Sequence, residues 1–165
     1  MKKTISEETQ IQNSQMVVVK EYIEDIGVDM KYSTEDNFTG HVIYNFSDAL
    51  LRYGTVKRLK EAQEIFKKSG YKLKIWDAYR PAKAQFTMWE IYPVDGFVAD
   101  PTKGYSNHTR GNAVDVTLTD FSGNEIEMPT GFDCFDEMSA YDYNAEENRE
   151  KTKNALYLKE VMESV

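Results

Sequence analysis

Residues 71 to 79, YKLKIWDAY, alternate apolar and polar side chains, and this stretch constrains the fold more than any other. Period-two alternation puts one face of a strand in a core and the other outside it. Its neighbours define what lies on either side. Upstream, Val56, Leu59, Ala62, Ile65 and Phe66 recur at helical spacing, with Ser47 as the expected N-cap and Gly70 where a C′ glycine belongs. Downstream, Pro81 opens a second helix, PAKAQFTMWEIY, near the first-turn position that proline tolerates. A helix, a strand and a helix are therefore expected in succession.

The remaining segments are shorter. MVVVKEYI reads as strand-like, and DMKYSTEDNFTGHVIY as extended and rich in turns. PVDGFVADPTKGYSNHTRG is a long loop, and loops of that length in compact domains more often carry function than not. NAVDVTLTD, a turn at FSGN and EIEM read as a hairpin. AEENREKTKNALYLKEVMESV reads as a closing helix, with acidic residues in its first turn to suit the macrodipole. Residues 1–14 are polar and expected to be loose, leaving one domain over 15–165, a length that supports a single core.

Composition removes several functional classes. With 20 basic against 28 acidic residues the net charge is -8, which argues against an electrostatic grip on nucleic acid or an anionic membrane surface. Cys134 is the single cysteine, so no intrachain disulfide forms and a reducing compartment fits. The basic start is followed by polar and acidic residues where a signal peptide needs an apolar run, and no stretch reaches the length of a membrane span. A soluble cytoplasmic protein is expected. Composition does not set its oligomeric state.

Chemistry concentrates in three places. In SNHTRGNAVDVTL, Gly111 lets the backbone turn into a strand whose Val114, Val116 and Leu118 share one face, with Asp115 and Thr117 on the other. His108, on the incoming loop, can fold back beside Asp115, and an imidazole with a carboxylate suits zinc. The same pair also reads as a loop histidine and a strand aspartate in ordinary hydrogen bonds. In WDAYRP, Arg80 can present its planar fork to a carboxylate or a developing oxyanion, or form a surface salt bridge with Asp77. In FDCFDEMS, Asp133, Asp136 or Glu137 can bind an ammonium group or cap a helix. Cys134 reads as a small buried side chain, and His41, after a glycine turn, as solvent-facing.

Taken in order, YSTEDNFTG, WDAYRP, SNHTRGNAVDVTL and FDCFDEMS resemble the VanX-type D-alanyl-D-alanine dipeptidases, zinc peptidases of the D,D-carboxypeptidase family. The likeness spans roughly residues 20 to 165, and its most specific part is Ser106, His108, Gly111, Ala113 and Asp115. It implies an α+β fold, a small antiparallel sheet with flanking helices of the D,D-peptidase (hedgehog-like) type. It also implies zinc held by His108 and Asp115, with Arg80 stabilising the tetrahedral intermediate. On the same resemblance, Asp133 is expected to anchor the amino group of a dipeptide and Ser106 to help bind it, with Tyr32 and Phe38 in the segment at the mouth of the site. The implied activity is hydrolysis of D-Ala-D-Ala, in cell-wall precursor metabolism or glycopeptide resistance.

The family also carries a later Glu-x-x-His pattern that supplies the general base and the third zinc ligand, and this sequence has none. The apolar stripe of Ala155, Leu158, Val161, Met162 and Val165 runs to the last residue, so a chain cut short within the domain is expected. Two alternatives accompany the dipeptidase reading. One is a D,D-carboxypeptidase acting on longer cell-wall peptides. The other is a ligand-binding remnant in which hydrolysis is impaired.

Overall fold

The computed structural model describes residues 11–132 and 149–165. The helical stripe Val56, Leu59, Ala62 and Phe66 is buried, as its spacing requires, on α1 (Tyr53–Lys68). Gly70 ends that helix at a φ of 86°, a left-handed value that glycine adopts without a Cβ penalty, and its N–H donates to the Lys67 carbonyl at 3.1 Å. Ser47 does not cap it. The chain first forms β3 (Leu50–Arg52), which pairs antiparallel with β1 (Met16–Val18), and the helix starts after that strand with extended Arg52 at its N-cap. Pairing with β1 holds residues 50–52 extended and delays the helix.

The alternating stretch forms β4 (Lys72–Asp77), with Leu73, Ile75 and Asp77 buried and the residues between them half-buried. It is the middle strand of a three-stranded sheet, between β2 (Gly27–Val28) and β5 (Asp115–Thr119). β5 runs antiparallel to β4, but β2 runs parallel to it, so the sheet is mixed and not antiparallel as expected. The parallel pair arises because β3 and α1 intervene between β2 and β4, a crossover long enough to bring the chain back in the same direction. The fold is α+β, with two small sheets and three helices among the described residues.

Pro81 stands at the N-cap of α2 (Ala82–Ile91), and no regular element separates α2 from β5. Beyond the turn at Gly123 the expected hairpin is reduced to a Thr119–Glu125 bridge and an Ile126 N–H bond to the Leu118 carbonyl at 2.9 Å. The closing helix is α3 (Arg149–Ser164). Val161 is buried, while Tyr157, Leu158, Met162 and Val165 pack against the core from the same helix. Tyr157 sets its ring edge-on to Phe66 of α1 at 5.5 Å. Among the described residues no helix is long and apolar enough to cross a membrane.

Candidate metal centre

β4 and β5 keep one register from Lys72–Thr119 to Ile75–Val116, then shift so that Asp77 lies opposite Asp115. Trp76 is the extra residue of this β-bulge. In unbroken register Asp115 would face Trp76, whose side chain leaves by the other side of the strand. The bulge therefore brings two carboxylates to one end of the sheet, a use of bulges that is common beside active sites.

His108 reaches this corner on a tight turn. The Gly111 N–H donates to the His108 carbonyl at 3.0 Å, and Gly111 takes a φ of 73° to close the turn. A Cβ at Gly111 would sit 2.5 Å from Met16 Sδ, so β1 also presses on this glycine. The turn is pinned from two sides. The Arg80 N–H donates to the His108 carbonyl at 3.2 Å, and Arg52 donates from its backbone to the Gly111 carbonyl at 2.8 Å and from Nε to the Arg110 carbonyl at 2.6 Å.

Asp77, His108 and Asp115 each offer a donor atom within 4.8 Å of the others. Their hydrogen bonds show that the three are not equivalent. His108 Nδ1 lies 2.9 Å from the Ala78 carbonyl, which can only accept, so Nδ1 carries a proton and in the neutral ring Nε2 keeps the lone pair. Asp115 Oδ2 is 3.5 Å from that Nε2, whereas Asp77 Oδ2 approaches the Nδ1 side at 3.6 Å. Nε2 and the Asp115 carboxylate therefore form the pair able to hold a divalent cation, and Asp77 supports the imidazole from behind. Burial disfavours protonation of His108, but the Asp115 carboxylate outweighs it and holds the ring above its ordinary value.

Asp77 anchors a buried network. Its Oδ1 accepts from the Tyr44 hydroxyl at 2.7 Å and the Ala78 N–H at 3.0 Å, and its Oδ2 from Arg80 Nη2 at 2.6 Å. Burial raises the Asp77 pKa, opposed by Arg80 and His108. Every partner named here is a donor, which suits the ionised form. Burial, seconded by Asp77, pushes the Tyr44 hydroxyl far above its usual value and keeps it a donor. Arg80 donates in addition to Tyr44 from Nε at 3.4 Å and to Gln85 from Nη1 at 2.8 Å, and its guanidinium lies 5.3 Å over the Tyr32 ring. The salt bridge between Arg80 and Asp77 thus exists, but buried and not on the surface.

Arg80, Ser106, His108 and Asp115 line one cavity of about 230 Å³, with Tyr32 and Phe38 in its wall. Ser106 Oγ accepts from the Thr109 N–H at 3.2 Å. Asp133, together with Cys134, Asp136 and Glu137, lies outside the described residues. His41 is exposed, with its ring nitrogen against the Thr39 carbonyl at 2.6 Å, and takes no part in the cluster. The sequence reading missed Asp77, Tyr44 and Gln85 as parts of the site. For Asp77 a signal existed: it shares the parity of Leu73 and Ile75, so a carboxylate was due on the core face of the strand. No pattern marked Tyr44, whose partners are 33 and 36 residues away.

A family model described as D-ala-D-ala dipeptidase matches residues 12–165 of this chain. The D-alanyl-D-alanine dipeptidase of Escherichia coli strain K12 is 38% identical over 138 residues, covering 84% of this chain and 70% of that protein. Those of Enterococcus faecalis and Enterococcus faecium are 33% and 31% identical, over 156 and 164 residues, covering 82% and 87% of this chain and 77% and 81% of the relatives. With an imidazole and two carboxylates, a buried arginine and a small cavity converging at the end of β4 and β5, and with matches of this extent, the chain belongs to the D-Ala-D-Ala dipeptidase family.

Proposed function

We propose zinc-dependent hydrolysis of the dipeptide D-Ala-D-Ala, with His108 and Asp115 as two of the zinc ligands and a further ligand that this pair does not supply. The observation that carries this reading is the orientation of the His108 ring, Nδ1 against the Ala78 carbonyl and Nε2 towards Asp115. With Nδ1 committed to the Ala78 carbonyl, the neutral ring turns its Nε2 lone pair towards the Asp115 carboxylate, and a nitrogen and a carboxylate oxygen form a donor set that suits zinc. When bound there, zinc would polarise the scissile carbonyl and lower the pKa of a water molecule.

The chain's own residues supply the rest. Arg80 has three of the five N–H donors of a guanidinium engaged, by Tyr44, Asp77 and Gln85. Among the described residues no partner takes the second N–H on either terminal nitrogen, which leaves one on each for negative charge developing on the carbonyl oxygen. The Tyr32 ring under the guanidinium keeps water from that face. Ser106 offers a hydroxyl at the cavity wall, and Asp133 is assigned to the substrate ammonium. Asp115 is the one carboxylate lining this cavity among the described residues, and as a ligand it would not be free to act as a base, so the proton of the attacking water needs a base outside this set. The relatives named for D-Ala-D-Ala support a dipeptide over a longer cell-wall peptide as the substrate.

The test is zinc content and substrate choice together. The zinc-loaded chain is expected to release D-alanine from D-Ala-D-Ala and to leave a muramyl pentapeptide intact. Release from the pentapeptide would replace this reading with a D,D-carboxypeptidase, and stoichiometric zinc without turnover would reduce it to a binding site. Asp133→Ala is expected to weaken dipeptide binding while zinc content holds. The opposite result would remove Asp133 from substrate recognition.

A further inference from the structure

We propose that Gln85 is a positioning residue that locks the Arg80 guanidinium and the cavity wall at Ala99 into one arrangement. Its mechanistic part rests on the hydrolase reading of Arg80, and its structural part does not.

Gln85 is buried on α2 and faces two ways. Its Oε1 accepts from Arg80 Nη1 at 2.8 Å, and its Nε2 donates to the Ala99 carbonyl at 2.6 Å. Ala99 lies in the irregular stretch between α2 and β5 that also carries Ser106 and His108, and it lines the same cavity as Arg80. Backbone bonds within residues 93–105 are local, from the Val98 N–H to Val94 and from the Lys103 N–H to Asp100. The Lys103–Asp95 ion pair is local as well, and both side chains are exposed. Gln85 ties this stretch to the buried face of α2.

The chemistry needs an amide. A primary amide accepts and donates from one planar group and carries no charge. A carboxylate would still accept from Arg80, but it would turn a lone pair towards the Ala99 carbonyl. It would also add a second negative charge beside a guanidinium that Asp77 already compensates, weakening the field that Arg80 offers to a developing oxyanion. An apolar side chain of similar length would do neither job and would leave a buried N–H and a carbonyl without partners. Holding Nη1 from the α2 side fixes the direction of the N–H that remains on it.

The experiment compares Gln85→Met and Gln85→Glu with the unmodified zinc-loaded chain. For Gln85→Met, kcat for D-Ala-D-Ala is expected to fall about tenfold or more with KM changed by less than about threefold and zinc stoichiometry intact, as suits lost orientation. Amide hydrogen exchange over residues 93–105 should accelerate about fivefold while β4 and β5 keep their protection. For Gln85→Glu, activity relative to the unmodified chain should recover as pH falls and the introduced carboxyl gains the proton that restores its donor. Unchanged exchange together with unchanged kcat would overturn the proposal. So would a loss of kcat that merely tracks zinc loss or unfolding, or a pH profile for Gln85→Glu parallel to the parent. If the unmodified chain fails to cleave the dipeptide, the hydrolase reading falls, and exchange alone decides whether Gln85 holds the wall.

Discussion

The two halves of β4 make an instructive contrast. From Lys72 to Ile75 the strand pairs with β5 in unbroken register and buries Leu73 and Ile75 in the core. Two residues later it bulges and buries Asp77. Each half has one polar side chain buried completely, Gln63 of α1 at the first and Asp77 at the second. Gln63 accepts the Leu73 N–H at 2.7 Å, filling a ladder position that two-residue β2 does not reach, and donates to Asp25 at 3.3 Å. That network closes on itself. The Asp77–Arg80 network includes a guanidinium with donors left over, and those donors adjoin a cavity. Both networks satisfy the polar groups they join, whereas Trp76 Nε1 at the bulge and Thr117 Oγ1 opposite Lys74 are buried without a hydrogen-bond partner among the described residues. Spare hydrogen-bonding capacity next to open space is what separates a site from a patch in the sheet.

Removing Arg80 should break the contrast most sharply. Arg80→Ala deletes the spare donors, and loss of one oxyanion donor group typically costs about 10²–10³ in kcat. It also strands Asp77, an unpaired buried charge worth about 3–5 kcal/mol of stability. Turnover and urea denaturation measured on the same preparation should both fall. Intact turnover would return Arg80 to a structural role. At the other half, Phe66→Ala opens a cavity under Tyr157 and should cost about 3–5 kcal/mol by denaturation, with zinc stoichiometry at the His108 corner retained by the folded fraction. A parallel loss of zinc would show that the two halves are not independent. Gln63→Leu leaves the Leu73 N–H without an acceptor, at a cost of about 1–3 kcal/mol, and kcat should stay within about twofold because the two sites are separated and share no partner.

The same contrast explains what the sequence revealed. Alternation across Leu73 and Ile75 and the spacing of Val56, Leu59, Ala62 and Phe66 are local signals driven by burial, so β4 and α1 were legible. Ser47 as a cap was not correct, because β1 pairing of residues 50–52 is a non-local force that propensity cannot register. The direction of β2 was hidden for the same reason. At the site, the spacing around Gly111 exposed His108 and Asp115, since a left-handed turn residue and a strand carboxylate are local features. The bulge that turns Asp77 towards them depends on the partner strand. Tyr44 and Gln85 owe their roles to contacts made only after α2 and the segment before β3 have packed. Asp77 could have been found by asking why an aspartate sits on the buried parity of a strand.

The smallest effect sharpens the contrast at the edge of the Gln63 patch. Asp25 takes the Gln63 amide on Oδ1 and pairs with Lys67 Nζ at 2.9 Å on Oδ2. The hydrogen bond from Lys67 is the main reason that its pKa lies below the ordinary 3.8. A carboxyl group depressed in the folded state adds stability above its unfolded pKa, and that contribution disappears as pH falls through the folded value. Asp25→Asn keeps an acceptor for Gln63 and removes only the charge, so its urea midpoint should lie slightly below that of the parent at neutral pH. The gap should narrow as the medium is acidified below 3.8, where the parent aspartate gains its proton. It should also shrink in high salt, because this pair is open to solvent and screened. A gap that persists at low pH would mean that Asp25 acts through packing around Gln63, not through Lys67. The first half of β4 would then be held by geometry alone, and charge would matter only at the half that carries the cavity.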